Sequence, residues 1–149
     1  AFLVFAVSTV SYTRNYRGQG DWKWVAAHLD RHTPAGDPIV FFATDGALPF
    51  SYYFPRSNPL YQIPEPDKTR PHTIVTLSPA DRDRAREAMA RARESGGLWL
   101  LEKAGLPPDS GLAMLRRFTD DSLLVTDSLL LHRTRARRIE VRGRGQANR

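Results

Sequence analysis

The apolar positions of this chain recur at two spacings, and those spacings predict its elements. From Asp21 to His32, Trp22, Val25, Ala26 and Leu29 fall at i, i+3, i+4 and i+7, the stripe of an amphipathic helix. Asp21 is placed to cap its first amides, and Thr33-Pro34 followed by Ala35-Gly36-Asp37 turns the chain. Pro38–Phe42 (PIVFF) is a continuous apolar run, as expected of a strand covered on both faces. Ala43–Ala47 (ATDGA) is a loop at that strand's C-terminal end, and Leu48–Phe54 is an aromatic helical turn stopped by Pro55.

Downstream the two periods keep alternating. Arg56–His72 is proline-rich, and within it only Leu60–Ile63 (LYQI) reads as a brief strand. Thr73–Leu77 (TIVTL) is β-branched and predicts a third. Ser78, Pro79 and Asp81 are helix start signals. Ala85, Ala88, Met89 and Ala92 give that helix a small-residue face, and Gly96-Gly97 ends it. Leu98–Leu101 (LWLL) predicts a fourth strand, and Pro107–Arg117 a short helix resting on Leu112 and Leu115. Ser122–Thr126 and Leu129–Thr134 form either a hairpin or one long bulged strand. Helices between strands imply an α/β fold. The expected form is a three-layer α/β/α sandwich with a mostly parallel sheet of about five strands and a C-terminal antiparallel edge pair.

The two ends differ from this middle. Ala1–Val10 (AFLVFAVSTV) is nearly all apolar, shorter than the roughly 20 residues that span a bilayer, and lacks the charged start of a signal peptide. It fits the last turns of a transmembrane helix, a first core strand, or an interfacial anchor. Tyr12, Arg14, Tyr16 and Arg17 then suit a membrane-exit segment. From Arg135 onward, arginine and glycine recur with little apolar content. The chain thus divides into a membrane end and exit (residues 1–19), an α/β domain (residues 20–134) and a basic tail read as disordered (residues 135–149).

Composition changes this picture in two places. Of 149 residues, 41% are hydrophobic, enough for one domain with its own core. The net charge of +6 lies wholly in the tail: residues 133–149 hold seven arginines against Glu140, while residues 1–132 balance 15 against 15. A nucleic-acid-binding domain shows its charge on a folded face, so no specific nucleic-acid partner is expected. With no cysteine, disulfides, thiolate metal sites and cysteine nucleophiles are excluded.

No complete catalytic constellation is present. Ligands of open α/β sheets sit at the C-terminal ends of strands, which selects Thr44-Asp45-Gly46. Asp45 would bind a metal, a sugar hydroxyl or a cationic group; alternatively it caps the Leu48 turn, with Gly46 supplying a positive φ. The ligand-contact candidates are Asp45, Gly46, Tyr52, Tyr53 and Arg56. Tyr52 and Tyr53 belong to an aromatic group with Phe50, Phe54 and Tyr61 that would stack on sugars, meet a membrane interface, or fill core. His28 and His32 have a zinc-compatible spacing, but HLDRH is not HExxH and no third ligand is in view, so no metal site is assigned. Neither a GxGxxG nor a Walker loop supports nucleotide binding. His72 and His132 have no sequence partner that would make a hydrolase triad. The Arg133–Arg144 run would attract anionic lipid or nucleic acid, or simply be solvated.

One succession of motifs is distinctive. After the aromatic exit segment come Asp21-Trp22, Ala26, Leu29, Ala35-Gly36-Asp37, Ile39–Phe42 and Pro49-Phe50-Ser51-Tyr52-Tyr53. This order resembles the C-terminal soluble domain of polytopic GT-C glycosyltransferases that use polyprenyl-phosphate sugars, the dolichyl-phosphate-mannose–protein mannosyltransferase-like enzymes. The resemblance is at core positions between Asp21 and Tyr53; beyond them it is architectural. It implies a domain on the extracytoplasmic side of the cell membrane, in a parent enzyme whose donor is a polyprenyl-phosphate sugar. The family's catalytic aspartate belongs to the first extracytoplasmic loop of the whole protein, so no residue here is assigned a catalytic role and no cofactor is assigned to this segment. The implied partners are the membrane, through the N-terminal segment, and the lipid-linked sugar or its acceptor. Arg14 and Arg17 point the other way, toward a cytoplasmic side. Two further readings stay open: a self-contained soluble α/β enzyme or ligand-binding domain using the strand-end cleft, and a binding module whose basic tail meets anionic surfaces.

Overall fold

Residues 21–64, 76–107 and 109–143 are described by a computed structural model of the chain. They form a mixed α/β unit with four helices and one open five-stranded sheet. Helix α1, described over residues 21–32, buries the stripe its spacing predicts: Trp22, Val25, Ala26 and Leu29. Then come β1 (Ile39–Phe42), α2 (Ala47–Tyr53), β2 (Leu60–Ile63), α3 (Pro79–Ser95), β3 (Gly97–Lys103), α4 (Ser110–Arg116), β4 (Ser122–Leu130) and β5 (Thr134–Arg142). At the start of α3 the Ser78 hydroxyl accepts from the Asp81 amide and the Asp81 carboxylate accepts from the Ser78 amide, a reciprocal capping box. Gly96 ends α3 at φ 90°, where glycine alone is unstrained. No helix among the described residues is long and apolar enough to cross a membrane.

The strand order is β2-β1-β3-β5-β4. The first three are parallel; β5 runs antiparallel to β3, and β4 antiparallel to β5. Successive residues of a strand point to opposite sides, and here both sides are buried. Val40, Phe42, Leu98 and Leu100 pack with Ala85, Ala88 and Met89 of α3 and Leu112 and Leu115 of α4. Ile39, Phe41, Trp99 and Leu101 pack with Trp22, Val25 and Leu29 of α1 and Phe50 of α2. This is why PIVFF and LWLL carry no polar alternation.

The main departure from the sequence reading is at residues 134–142. Expected within or at the head of a disordered basic tail, they are β5, an internal strand between β3 and β4. Ile139 and Ala136 are fully buried, and the arginines beside them reach carboxylates on other elements. The alternatives left open for residues 122–134 resolve as one bulged strand: β4 shifts register between Val125 and Asp127, and its return partner is β5. Thr76 and Leu77, expected to end a strand, lead directly into α3 outside any strand; the rest of Thr73–Leu77 lies outside the described residues, as do the membrane end and exit segment (residues 1–19), residue 20 and residues 144–149.

Candidate functional site

β1 hands the chain to α2 on one face of the sheet, while the neighbouring parallel strand β3 hands it to α4 on the other. Their loops therefore part beyond the strands' C-terminal ends, the place where open α/β sheets hold ligands. The loop after β1 is tied down by backbone bonds. The Ala43 amide donates to the Ile63 carbonyl at 2.9 Å, and Gln62 Nε2 to the Thr44 carbonyl at 2.8 Å. Ala43 takes the left-handed conformation at φ 50°, which costs a residue with a Cβ roughly 1–2 kcal/mol.

Five ligand-contact candidates were expected around this loop, and the fold divides them. Asp45 is exposed, and no described residue pairs with its carboxylate. It does not cap α2, which has no side-chain cap. Gly46 is buried, and its φ of −73° is ordinary, so the positive φ falls at Ala43 instead. What requires glycine at position 46 is the Trp22 indole: a Cβ there would lie 2.0 Å from two ring carbons. Gly46 is thus a floor for Trp22, not an open contact. Tyr52 and Tyr53 are exposed on α2 with rings edge to face, centroids 5.1 Å apart. Arg56 sits at the opposite end of the domain, against the C-terminus of α1. It pairs with Asp30 at 2.7 Å and donates to the carbonyls of Thr33 and Asp30, closing orphan carbonyls of the last turn. Asp45 keeps its place at the strand end; Arg56 is a helix staple.

Two other segments meet at the strand end. The Arg133 amide, in the β4–β5 turn, donates to Asp21 Oδ2 at 3.0 Å. The Ala104 amide, just past β3, donates to the Arg133 carbonyl at 2.8 Å. The Asp21 end of the described helix α1, the end of β3, the β4–β5 turn and the Asp45 loop therefore share one rim.

Charged groups that the sequence reading passed over lie inside. Glu102 is buried; its Oε2 accepts from Arg137 at 2.6 Å and its Oε1 from the Gly111 amide at 2.8 Å. Arg137 also donates to Asp109, holding that carboxyl below the usual aspartate range. On the other face Arg138 reaches Asp37 at 2.6 Å, through space that a Cβ on Gly97 would fill. Burial pushes the Asp37 carboxyl up, against the pull of Arg138. Arg137, Arg138 and Arg142 are all paired within the domain, so these three of the presumed tail's cations do not project from a tail.

His28 and His32 do not stand in solvent as a bare pair. Their ring centroids are 4.3 Å apart, His28 Nε2 meets Asp127 Oδ2 at 3.2 Å, and His32 Nδ1 meets the His28 carbonyl at 2.8 Å. Among the described residues, no group of three or more His, Asp and Glu is arranged to hold a metal ion. His132 is exposed in the β4–β5 turn, and His72 lies outside the described residues. Comparison of the chain with protein-family models, with curated proteins and with solved structures finds no match.

Proposed function

We propose that this chain is the non-catalytic C-terminal lobe of a membrane glycosyltransferase that uses a polyprenyl-phosphate sugar. In this reading the lobe stands on the extracytoplasmic side of the cell membrane, and the C-terminal ends of β1 and β3 face the bilayer. The carrying observation is where the described part of α1 meets the rim. Asp21 meets the Arg133 amide and Trp22 lies on Gly46, so residue 21 is on the rim that holds Asp45. A chain leaving the membrane through residues 1–20 would bring that rim to the headgroups, where a polyprenyl phosphate lies. The helices packed on opposite sides of β1 and β3 support a three-layer α/β/α arrangement that keeps the rim rigid. The lobe's work is to help recognise the acceptor or to cover the mouth of the catalytic part. Asp45 is the group for a sugar hydroxyl, and Tyr52 and Tyr53 are surfaces for stacking.

Two observations test this. The gene upstream of Ala1 should encode, in frame, several apolar spans of about 20 residues. The isolated chain, given polyprenyl-phosphate mannose and an acceptor peptide, should transfer no sugar. An initiator codon directly before Ala1, or turnover by the isolated chain, overturns the reading.

A further inference from the structure

We infer that the strand-end rim is itself a bilayer-contacting surface: Trp24, Leu48 and Leu130 enter the headgroup layer of an anionic membrane, while Lys23, Lys103 and Arg133 meet lipid phosphates. The inference rests on the membrane reading above and goes further, because a lobe tethered by its N-terminus need not touch the bilayer at all.

The most exposed large apolar side chains among the described residues are Tyr52 at 83%, Leu48 at 81%, Trp24 at 67% and Leu130 at 66%. Scattered exposed apolar residues need no explanation, but Leu48, Trp24 and Leu130 all project from segments that meet at the strand-end rim. A continuous line of contacts joins those segments. Ala104, next to Lys103, bonds Arg133; Arg133 bonds Asp21; and the Trp22 ring rests on Gly46, two residues before Leu48. Trp24 follows Asp21 by three residues in α1, and Leu130 ends β4 just before the turn that holds Arg133. Tyr52 lies one turn beyond Leu48 on the same side of α2, set back from the edge.

Core packing accounts for none of these positions. The buried stripe of α1 is Trp22, Val25, Ala26 and Leu29, and α2 buries Phe50. Tryptophan and leucine protruding beside lysine and arginine are the side chains of a membrane interface. Lys23, Lys103 and Arg133 are exposed there, against the exposed acids Asp45 and Asp109, the latter held by Arg137. The occupant is also marked by the chain itself. The preceding sequence, with its apolar AFLVFAVSTV and then Tyr12, Arg14, Tyr16 and Arg17, joins the described residues at Asp21, on this rim.

The test uses the full chain mixed with vesicles of phosphatidylcholine and phosphatidylglycerol whose acyl chains are brominated. Trp22 and Trp99 are buried, so Trp24 supplies the quenchable emission and W24F is the blank. The wild type should float with the vesicles and lose emission. The double variant L48D/L130D, changed only at surface positions, should float and keep its circular dichroism, but its quenching should fall at least twofold. Quenching should rise with phosphatidylglycerol content in the wild type and not in K103Q/R133Q. A chain that floats while its emission is quenched no more than that of W24F overturns the rim inference and leaves membrane attachment standing. A chain that does not float overturns both. A rise with phosphatidylglycerol in K103Q/R133Q removes the role given to the cations.

Discussion

Replacing Arg137 by methionine is the sharpest perturbation of this fold. Arg137 and Glu102 are 7% and 1% exposed, joined at 2.6 Å, and the other Glu102 oxygen holds the Gly111 amide. Methionine keeps much of the apolar stem but abandons the carboxylate, and removing one member of a buried pair costs about 3–5 kcal/mol. R137M should therefore lose about 3–5 kcal/mol at pH 7, a large part of the roughly 5–15 kcal/mol that holds a domain together. R142M is the control, since Arg142 and Glu140 form an exposed pair worth about 0–1 kcal/mol. Urea unfolding followed by tryptophan emission and far-ultraviolet circular dichroism measures both variants. If R137M and R142M agree within about 0.5 kcal/mol at pH 7, the arginine-rich segment is a solvated tail and the reasoning fails.

Three further outcomes are expected. G46A forces a methyl group into the Trp22 ring and should lower stability by about 1–3 kcal/mol in thermal unfolding; a neutral result would mean the indole does not rest on that backbone. R56A should cost about 1 kcal/mol through the bonds lost at the end of α1, where a purely ligand-contacting arginine would cost nothing. The hydrogen bond and charge of Arg137 hold the folded Asp109 carboxyl below its ordinary 3.8, so stability linked to it is present above that value and lost as pH falls through the lower folded one. The gap in Tm between wild type and D109N should be widest near neutrality and close in acid; a gap that widens on acidification contradicts the assignment.

Local signals were legible in the sequence, and distant pairings were not. The α1 stripe, the two-face burial of PIVFF and LWLL, and the capping box at Ser78 follow from spacings of a few residues. β5 was hidden because its reason lies elsewhere in the chain: Arg137 needs Glu102 and Arg138 needs Asp37. Two clues pointed to it. Glu102 closes a run of buried residues and so demands a cation, and Ile139-Glu140-Val141-Arg142 alternates like a strand. At the site, the strand-end rule pointed to Asp45, which the fold leaves exposed. It could not foresee that Gly46 serves Trp22, that Ala43 takes the left-handed turn, or that Arg56 is drawn to the far end of α1. Each of those depends on how α1 lies across the sheet, which no local pattern encodes.

The proposed orientation of this domain toward a lipid-linked sugar is tested most directly by photocrosslinking. A polyprenyl-phosphate mannose carrying a photoreactive group on the sugar is placed in vesicles with the full chain, and the labelled peptides are mapped. Labels concentrated at residues 43–46, 103–106 and 130–133, and weakened in D45N, are the predicted result. Labels at residues 34–37 and 94–96, at the opposite end of the same strands, or no labelling above that of a soluble control protein, would contradict it.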